Sequence, residues 1–137
     1  MAITRTETQI QWAGANSVSV AAGSSQTSDV VTLDATAVAA QISIKADNAG
    51  TPGTADQIYV WLLQTSGDPD GTAGDEYDTT GHALLMGILD TNAEDPAIMT
   101  VPLPLPQKSF KVYADGITSP TANAITVSAT VTEQRAA

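Results

Sequence analysis

The residues of this chain with the most chemical potential are acids. Asp68, Asp70, Asp75, Glu76 and Asp78 crowd into the loop SGDPDGTAGDEYDTTGH, residues 66–82. Ca²⁺ takes roughly six to eight oxygen ligands, often from closely spaced carboxylates on a glycine-bearing loop. Asp68, Asp70, Asp75 and Asp78 are therefore the candidate cation ligands. The spacing departs from the EF-hand: counted from Asp68, no acid stands fifth, no glycine sixth and no Glu twelfth. The same residue types also build solvated turns, with Asp bonding nearby backbone and Gly supplying positive φ.

Other chemistry has less to work with. His82 is the one histidine, so no site can draw on two imidazoles. A Ser–His–Asp arrangement is open in composition, yet no Gly-x-Ser-x-Gly elbow is present. Asp90, Glu94 and Asp95 precede Pro96 and read as turn-forming acids. Paired carboxylates for glycoside hydrolysis would need aromatic sugar platforms. The whole aromatic set is Trp12, Tyr59, Trp61, Tyr77, Phe110 and Tyr113, and part of it must fill the core. Neither glycine-rich phosphate-loop pattern occurs. The chain is expected not to be an enzyme and to carry no cofactor beyond Ca²⁺ in the acidic loop.

Composition narrows the partners. The 137 residues include 15 acidic and 5 basic side chains, for a net charge of −10. Arg5, Lys45, Lys108, Lys111 and Arg135 are scattered, whereas nucleic-acid binding needs clustered cations to replace phosphate counterions. The same balance disfavours an anionic membrane, and no apolar run approaches a membrane span. There is no cysteine. The opening Met-Ala-Ile-Thr-Arg lacks the apolar stretch of a secretory signal, which predicts assembly in the cytoplasm. Only 15% of residues are charged, so Thr, Ser, Gln and Ala must cover the surface. That surface suits a protein packed against partners.

The elements that must position these residues are strands. Period-2 alternation recurs from Ile10 to Val131, broken by Gly, Asp, Asn, Thr and Pro. Residues 1–9 read as an extended N-terminal arm or a first edge strand, and Ile10–Ala13 as a short strand. Residues 35–40 are alanine-rich, where a short helix is conceivable. Ala40, Ile42, Ile44 and Ala46 alternate with Gln41, Ser43 and Lys45. The run IYVWLL, residues 58–63, is apolar on both faces and predicts either a central core strand or a strand with one face in an interface, the structural heart of the domain with Trp61 a major contributor. Gly87 in ALLMGILD favours a strand or bulge over a helix. In TVPLPLP, Val101, Leu103 and Leu105 keep period 2 while prolines alternate, so this is an edge strand or an extended contact arm. About eight strands predict one domain over 1–137, an antiparallel all-β sandwich or barrel of jelly-roll or immunoglobulin-like type.

From Asp56 onward the order of DQIYVWLLQTSGDPD, DEYDTTGHA, LDTNAEDPA, TVPLP and FKVYA resembles small structural proteins of tailed-phage virions, including capsid decoration (cement) proteins. The resemblance implies an all-β domain that binds the outside of an assembled shell, often as a trimer or dimer. Its partner would be the major capsid protein or another virion protein, and its location the virion. On this reading the contact elements are Val101, Leu103 and Leu105 and the segment Ile3 to Gln9, including Arg5. Self-association would use the strand faces near Tyr59, Trp61 and Tyr113. The alternatives are a tail-tube or tail-tip subunit and a Ca²⁺-dependent carbohydrate-binding module.

Overall fold

The structure is a computed structural model that describes residues 2–54, 56–67, 70–71, 76–79, 81, 83–103, 109–116 and 123–136. Among these, regular structure is β throughout. The strands are β1 (Ile3–Gln9), β2 (Val18–Val20), β3 (Ser25–Thr27), β4 (Val31–Thr32), β5 (Ala37–Asn48), β6 (Gln57–Gly67), β7 (Glu76–Tyr77), β8 (Leu84–Asp90), β9 (Ala97–Pro102), β10 (Ser109–Gly116) and β11 (Ile125–Ala136). The alanine-rich stretch near 35–40 enters β5 rather than a helix. β-Branched Val38, Ile42 and Ile44 pack better on a pleated surface.

Two antiparallel sheets form. The first runs β1–β11–β5–β9, with β2 continuing along the same edge of β11 as β1. The second runs β3–β10–β6, with β4 beside β3 along β10, and β8 and β7 along the far side of β6. Counting β1/β2 and β3/β4 each as one broken strand and leaving aside the two-residue β7, the chain visits the sheets in the order first, second, first, second, second, first, second, first. Early strands then pair with late ones: β1/β2 with β11, β3/β4 with β10, β5 with β9, β6 with β8. This nested pairing is the jelly-roll connectivity, and it selects among the architectures the sequence left open.

Residues 1–9 are accordingly an edge strand, held from Ile3↔Ala136 to Gln9↔Thr130, rather than a detached arm. Ile10–Ala13 is not a strand. It begins an excursion between β1 and β2 that turns at Ala13 and Gly14, whose φ values are +49° and +80°. Asp29 accepts both of their N–H groups, at 3.1 and 3.0 Å.

The alternation places the core. Ile42, Ile44 and Ala46 of β5 and Ile125, Val127, Ala129 and Val131 of β11 are buried against Ile58, Val60 and Leu62 of β6 and Phe110, Val112 and Ala114 of β10. Trp61 is half-buried on the opposite face of β6. The core tryptophan is Trp12 instead. β8 bulges at Met86, opposite the Val60/Trp61 step, as Gly87 anticipates. β9 is a sheet edge, which accommodates Pro102. Leu103 is 7% exposed and belongs to the core, so it is withdrawn from the contact residues. Leu105 lies outside the described residues. Leu103→Ala is expected to cost about 3 kcal/mol of stability, read as a lower denaturant midpoint at unchanged slope.

One end of the sandwich is held by a buried carboxylate. Asp56 is 1% exposed. Its Oδ1 accepts from Asn123 N at 2.8 Å. Its Oδ2 accepts from Gly53 N at 2.9 Å, Asn48 Nδ2 at 3.0 Å and Asn123 Nδ2 at 2.9 Å. Its backbone carbonyl accepts from Thr91 N at 3.0 Å and Thr91 Oγ1 at 2.7 Å. Three connections meet there: β5 to β6, β8 to β9, and the approach to β11. Burial alone would raise the Asp56 pKa. The hydrogen bonds from Gly53, Asn123 and Asn48 outweigh it and hold the carboxyl below its ordinary 3.8. Because the folded value lies below the unfolded one, this contribution is complete above about pH 4 and is lost as pH falls through the folded value. Asp56→Asn keeps the shape but turns an amide toward donors, which should cost roughly 3 kcal/mol at neutral pH. The variant should also lose less further stability than the wild type between about pH 4 and pH 2, as denaturant titrations at both pH values would show.

Candidate interaction surface

Because side chains alternate, each sheet has an outer face, and the two outer faces differ. On the first sheet, Gln41, Ser43 and Lys45 of β5 lie beside Thr132, Thr130 and Ser128 of β11. Ser43 and Thr100 of β9 complete the row with hydroxyl oxygens 3.0 Å apart. This face is hydroxyl-lined and mainly polar, with Ile98, 61% exposed beside Lys45, as an apolar exception on the β9 edge.

The outer face of the second sheet is aromatic and aliphatic. Register places Tyr113 of β10 beside Trp61 of β6 and Trp61 beside Leu85 of β8. The next row is Asp115, Tyr59 and Ile88. Neighbouring strands lie about 4.8 Å apart and same-face residues about 7 Å apart along a strand, so five apolar side chains form one continuous patch. Tyr59, Trp61 and Tyr113 are half-buried, while Leu85 and Ile88 are 43% and 47% exposed. The patch ends at β7. There Tyr77 Oη lies 2.9 Å from Ser109 Oγ, and Lys111 Nζ sits 4.7 Å from the Tyr77 ring centre. Lys111 and Asp115 bracket the patch with one charge of each sign on β10.

Of the residues singled out from sequence, Tyr59, Trp61 and Tyr113 are thus brought together. Ile3 and Arg5 lie on β1, at the far edge of the other sheet, and both are exposed. Val101 is half-buried on β9, opposite Ile42. These three do not join the aromatic patch. Sequence reading missed Leu85 and Ile88. Their part in the patch depends on the bulge at Met86, and a bulge shifts which residues share a face.

The acidic loop is only partly described. Asp68, Asp75 and His82 lie outside the described residues. Asp78 accepts from Gln64 N at 3.2 Å and so extends the β6–β7 pairing. Among the described residues, no group of three or more His, Cys, Asp or Glu side chains is placed to hold a metal ion. Asp90 closes a turn, accepting from Asn92 N at 2.9 Å and Ala93 N at 3.3 Å. Asp95 accepts from Asn48 N at 3.0 Å.

A cleft of about 440 Å³ opens between β1 and β4. Glu133, buried at its base, accepts from Asp34 N and Arg135 Nη2, both at 2.7 Å. The buried Nε of Arg135 has no hydrogen-bond partner among the described residues. Hydrogen bonds from Thr36 hold the Asp34 carboxyl below its ordinary pKa, with the Arg135 charge adding to them against a small opposing effect of burial. The carboxylates of this cluster are committed to backbone and guanidinium partners within the chain.

No protein-family model matches the chain, and no curated protein matches it in sequence. The functional reading therefore rests on the faces themselves. The two tryptophans offer a direct check: acrylamide should quench Trp61 and spare Trp12, and Trp61→Phe should remove the quenchable component of the emission.

Proposed function

We propose that this chain is a non-enzymatic structural protein of a tailed-phage virion: a decoration protein that binds the assembled capsid and stabilises it. The observation that carries the reading is the aromatic patch on the outer face of the second sheet, set in a chain of net charge −10 whose other broad face is mainly polar and has no aromatic cluster among the described residues. Contiguous exposed apolar surface rimmed by polar residues marks protein–protein contact. Trp and Tyr are the residues that most often dominate such contacts. The jelly roll supports the reading by analogy, since it recurs in viral capsid domains as well as in lectins and cupins; the fold alone does not choose between them.

On this reading the patch faces the major capsid protein. Tyr59, Trp61 and Tyr113 anchor it, and the strands beneath hold the rings in place at little entropic cost. The contact role moves from the proline-rich segment, whose Leu103 is core, to this face. Repetition over a symmetric shell makes modest affinity per site effective. Cytoplasmic assembly onto the shell needs no disulfide, consistent with a chain free of cysteine.

The alternative of a Ca²⁺-dependent carbohydrate-binding module would use Asp68, Asp70, Asp75 and Asp78, of which Asp68 and Asp75 lie outside the described residues; in the aromatic patch, Leu85 and Ile88 offer no hydrogen bond to a sugar hydroxyl. That composition favours a protein partner.

Co-sedimentation with phage shells lacking the protein tests the reading. Wild-type protein should saturate the shells at a fixed copy number. Trp61→Ala and Tyr113→Ala should each weaken binding about 30-fold, equivalent to about 2 kcal/mol, with little change in far-ultraviolet circular dichroism. Undiminished occupancy by both variants would overturn the assignment.

A further inference from the structure

A sheet edge exposes a row of unpaired N–H and C=O groups, and natural proteins blunt such edges with prolines, charges, short strands or bulges. Among the described residues, three of the four sheet edges are blunted by proline, charge or short segments, and β8 has only a bulge. β9 ends in Pro102, β1 carries Arg5 and Glu7, and the β3/β4 edge is broken into segments of three and two residues. β8 is different. It has seven residues, no proline and no charge before Asp90. Leu84, Leu85 and Ile88 are 46%, 43% and 47% exposed. Its one irregularity, the bulge at Met86, is the step that brings Leu85 onto the outer face beside Trp61.

We infer that β8 is the pairing edge for a second copy of this chain, joining two second sheets across a two-fold axis. Two features of the strand choose a second copy. The first is charge. Two chains of net charge −10 repel except where their meeting edges are uncharged, and Leu84 to Leu89 is such a stretch. Antiparallel pairing also sends the two Asp90 carboxylates to opposite ends of the seam, about 24 Å apart at about 3.4 Å per residue.

The second feature is face matching. Leu85 and Ile88 share the outer face, while Leu84 and Leu89 lie opposite Leu62 and Ile58 on the inner one. A two-fold between Met86 and Gly87 sets Leu85 against Ile88 of the partner and Leu84 against the partner's Leu89, inner against inner and outer against outer. In a regular strand this register would put opposite faces together, and the bulge corrects it. The dimer would carry Tyr113, Trp61, Leu85 and then the partner's Ile88, Tyr59 as one continuous row. The seam stands on the strand's own composition and does not depend on shell binding, which is measured separately by co-sedimentation.

Sedimentation equilibrium of the full chain provides the test, together with two surface variants. The wild type should be dimeric at micromolar concentration. Leu85→Lys/Ile88→Lys should raise the dimer dissociation constant about 100-fold or more while leaving the thermal melt of the dilute protein unchanged. Leu85→Cys/Ile88→Cys, in a chain with no other cysteine, should oxidise to a covalent dimer. A wild type that stays monomeric at 100 µM or above would overturn the inference and leave the edge to a foreign strand. So would a dimer that survives the Lys variant and resists cross-linking.

Discussion

An antiparallel sheet satisfies its backbone by lateral pairing, but it can bury its apolar side chains only against a second sheet. Everything in this molecule follows from meeting both demands with side chains of modest size. Ile42, Ile44, Val127 and Val131 from one sheet face Val60, Leu62, Phe110 and Val112 from the other. Phe110 is the one phenylalanine in the chain. Branched aliphatics therefore set the sheet separation, and strict alternation along β5, β6, β10 and β11 becomes obligatory. A one-residue slip on any of them would exchange its core set for its solvent set.

The ends need other means, because connections carry polar backbone that cannot enter an apolar core. Asp56 supplies acceptors at one end, where its two carboxylate oxygens take four hydrogen bonds from three residues of two connections. Glu133 does comparable work for the Asp34 turn beneath β1. A buried charge is tolerable at such places only when its hydrogen bonds are complete, and the lowered pKa of Asp56 is the thermodynamic trace of that completeness. Asp29 and Asp90 repeat the device at turns, and Asp78 does so beside the β6–β7 pairing. Many of the chain's acids thus serve as turn closures, which accounts for part of an acidic composition that would otherwise invite a cation-binding explanation.

Alternation is local, and what depended on it was legible in the sequence: the inward sets of β5, β10 and β11, the edge position of Pro102, and the irregularity at Gly87. Relationships between distant residues were not legible. The apolar run of β6 showed that both faces are covered or in contact, but not which residues look inward; Trp61 belongs to the outer face. Leu103 looked like a contact residue because its neighbours are prolines, whereas its own side chain turns into the sandwich. Asp56 sits in a stretch that reads as ordinary loop, DNAGTPGTAD, and its partners Thr91 and Asn123 come from far along the chain. Tyr59, Trp61 and Tyr113, expected near a self-association surface, share one outer face. That they adjoin Leu85 and Ile88 required the register.

With one outer face mainly hydroxyl-lined, Ile98 apart, and the other aromatic, the molecule is asymmetric across its thickness, and the central claim is that the aromatic face is the one that meets the shell. Carbene footprinting of the protein free and bound to shells measures this most directly. The account predicts that labelling of Tyr59, Trp61 and Tyr113 falls on binding while labelling of Ser43, Lys45, Ser128 and Thr130 is unchanged. Protection of that second set, with the aromatic residues still labelled, would contradict it.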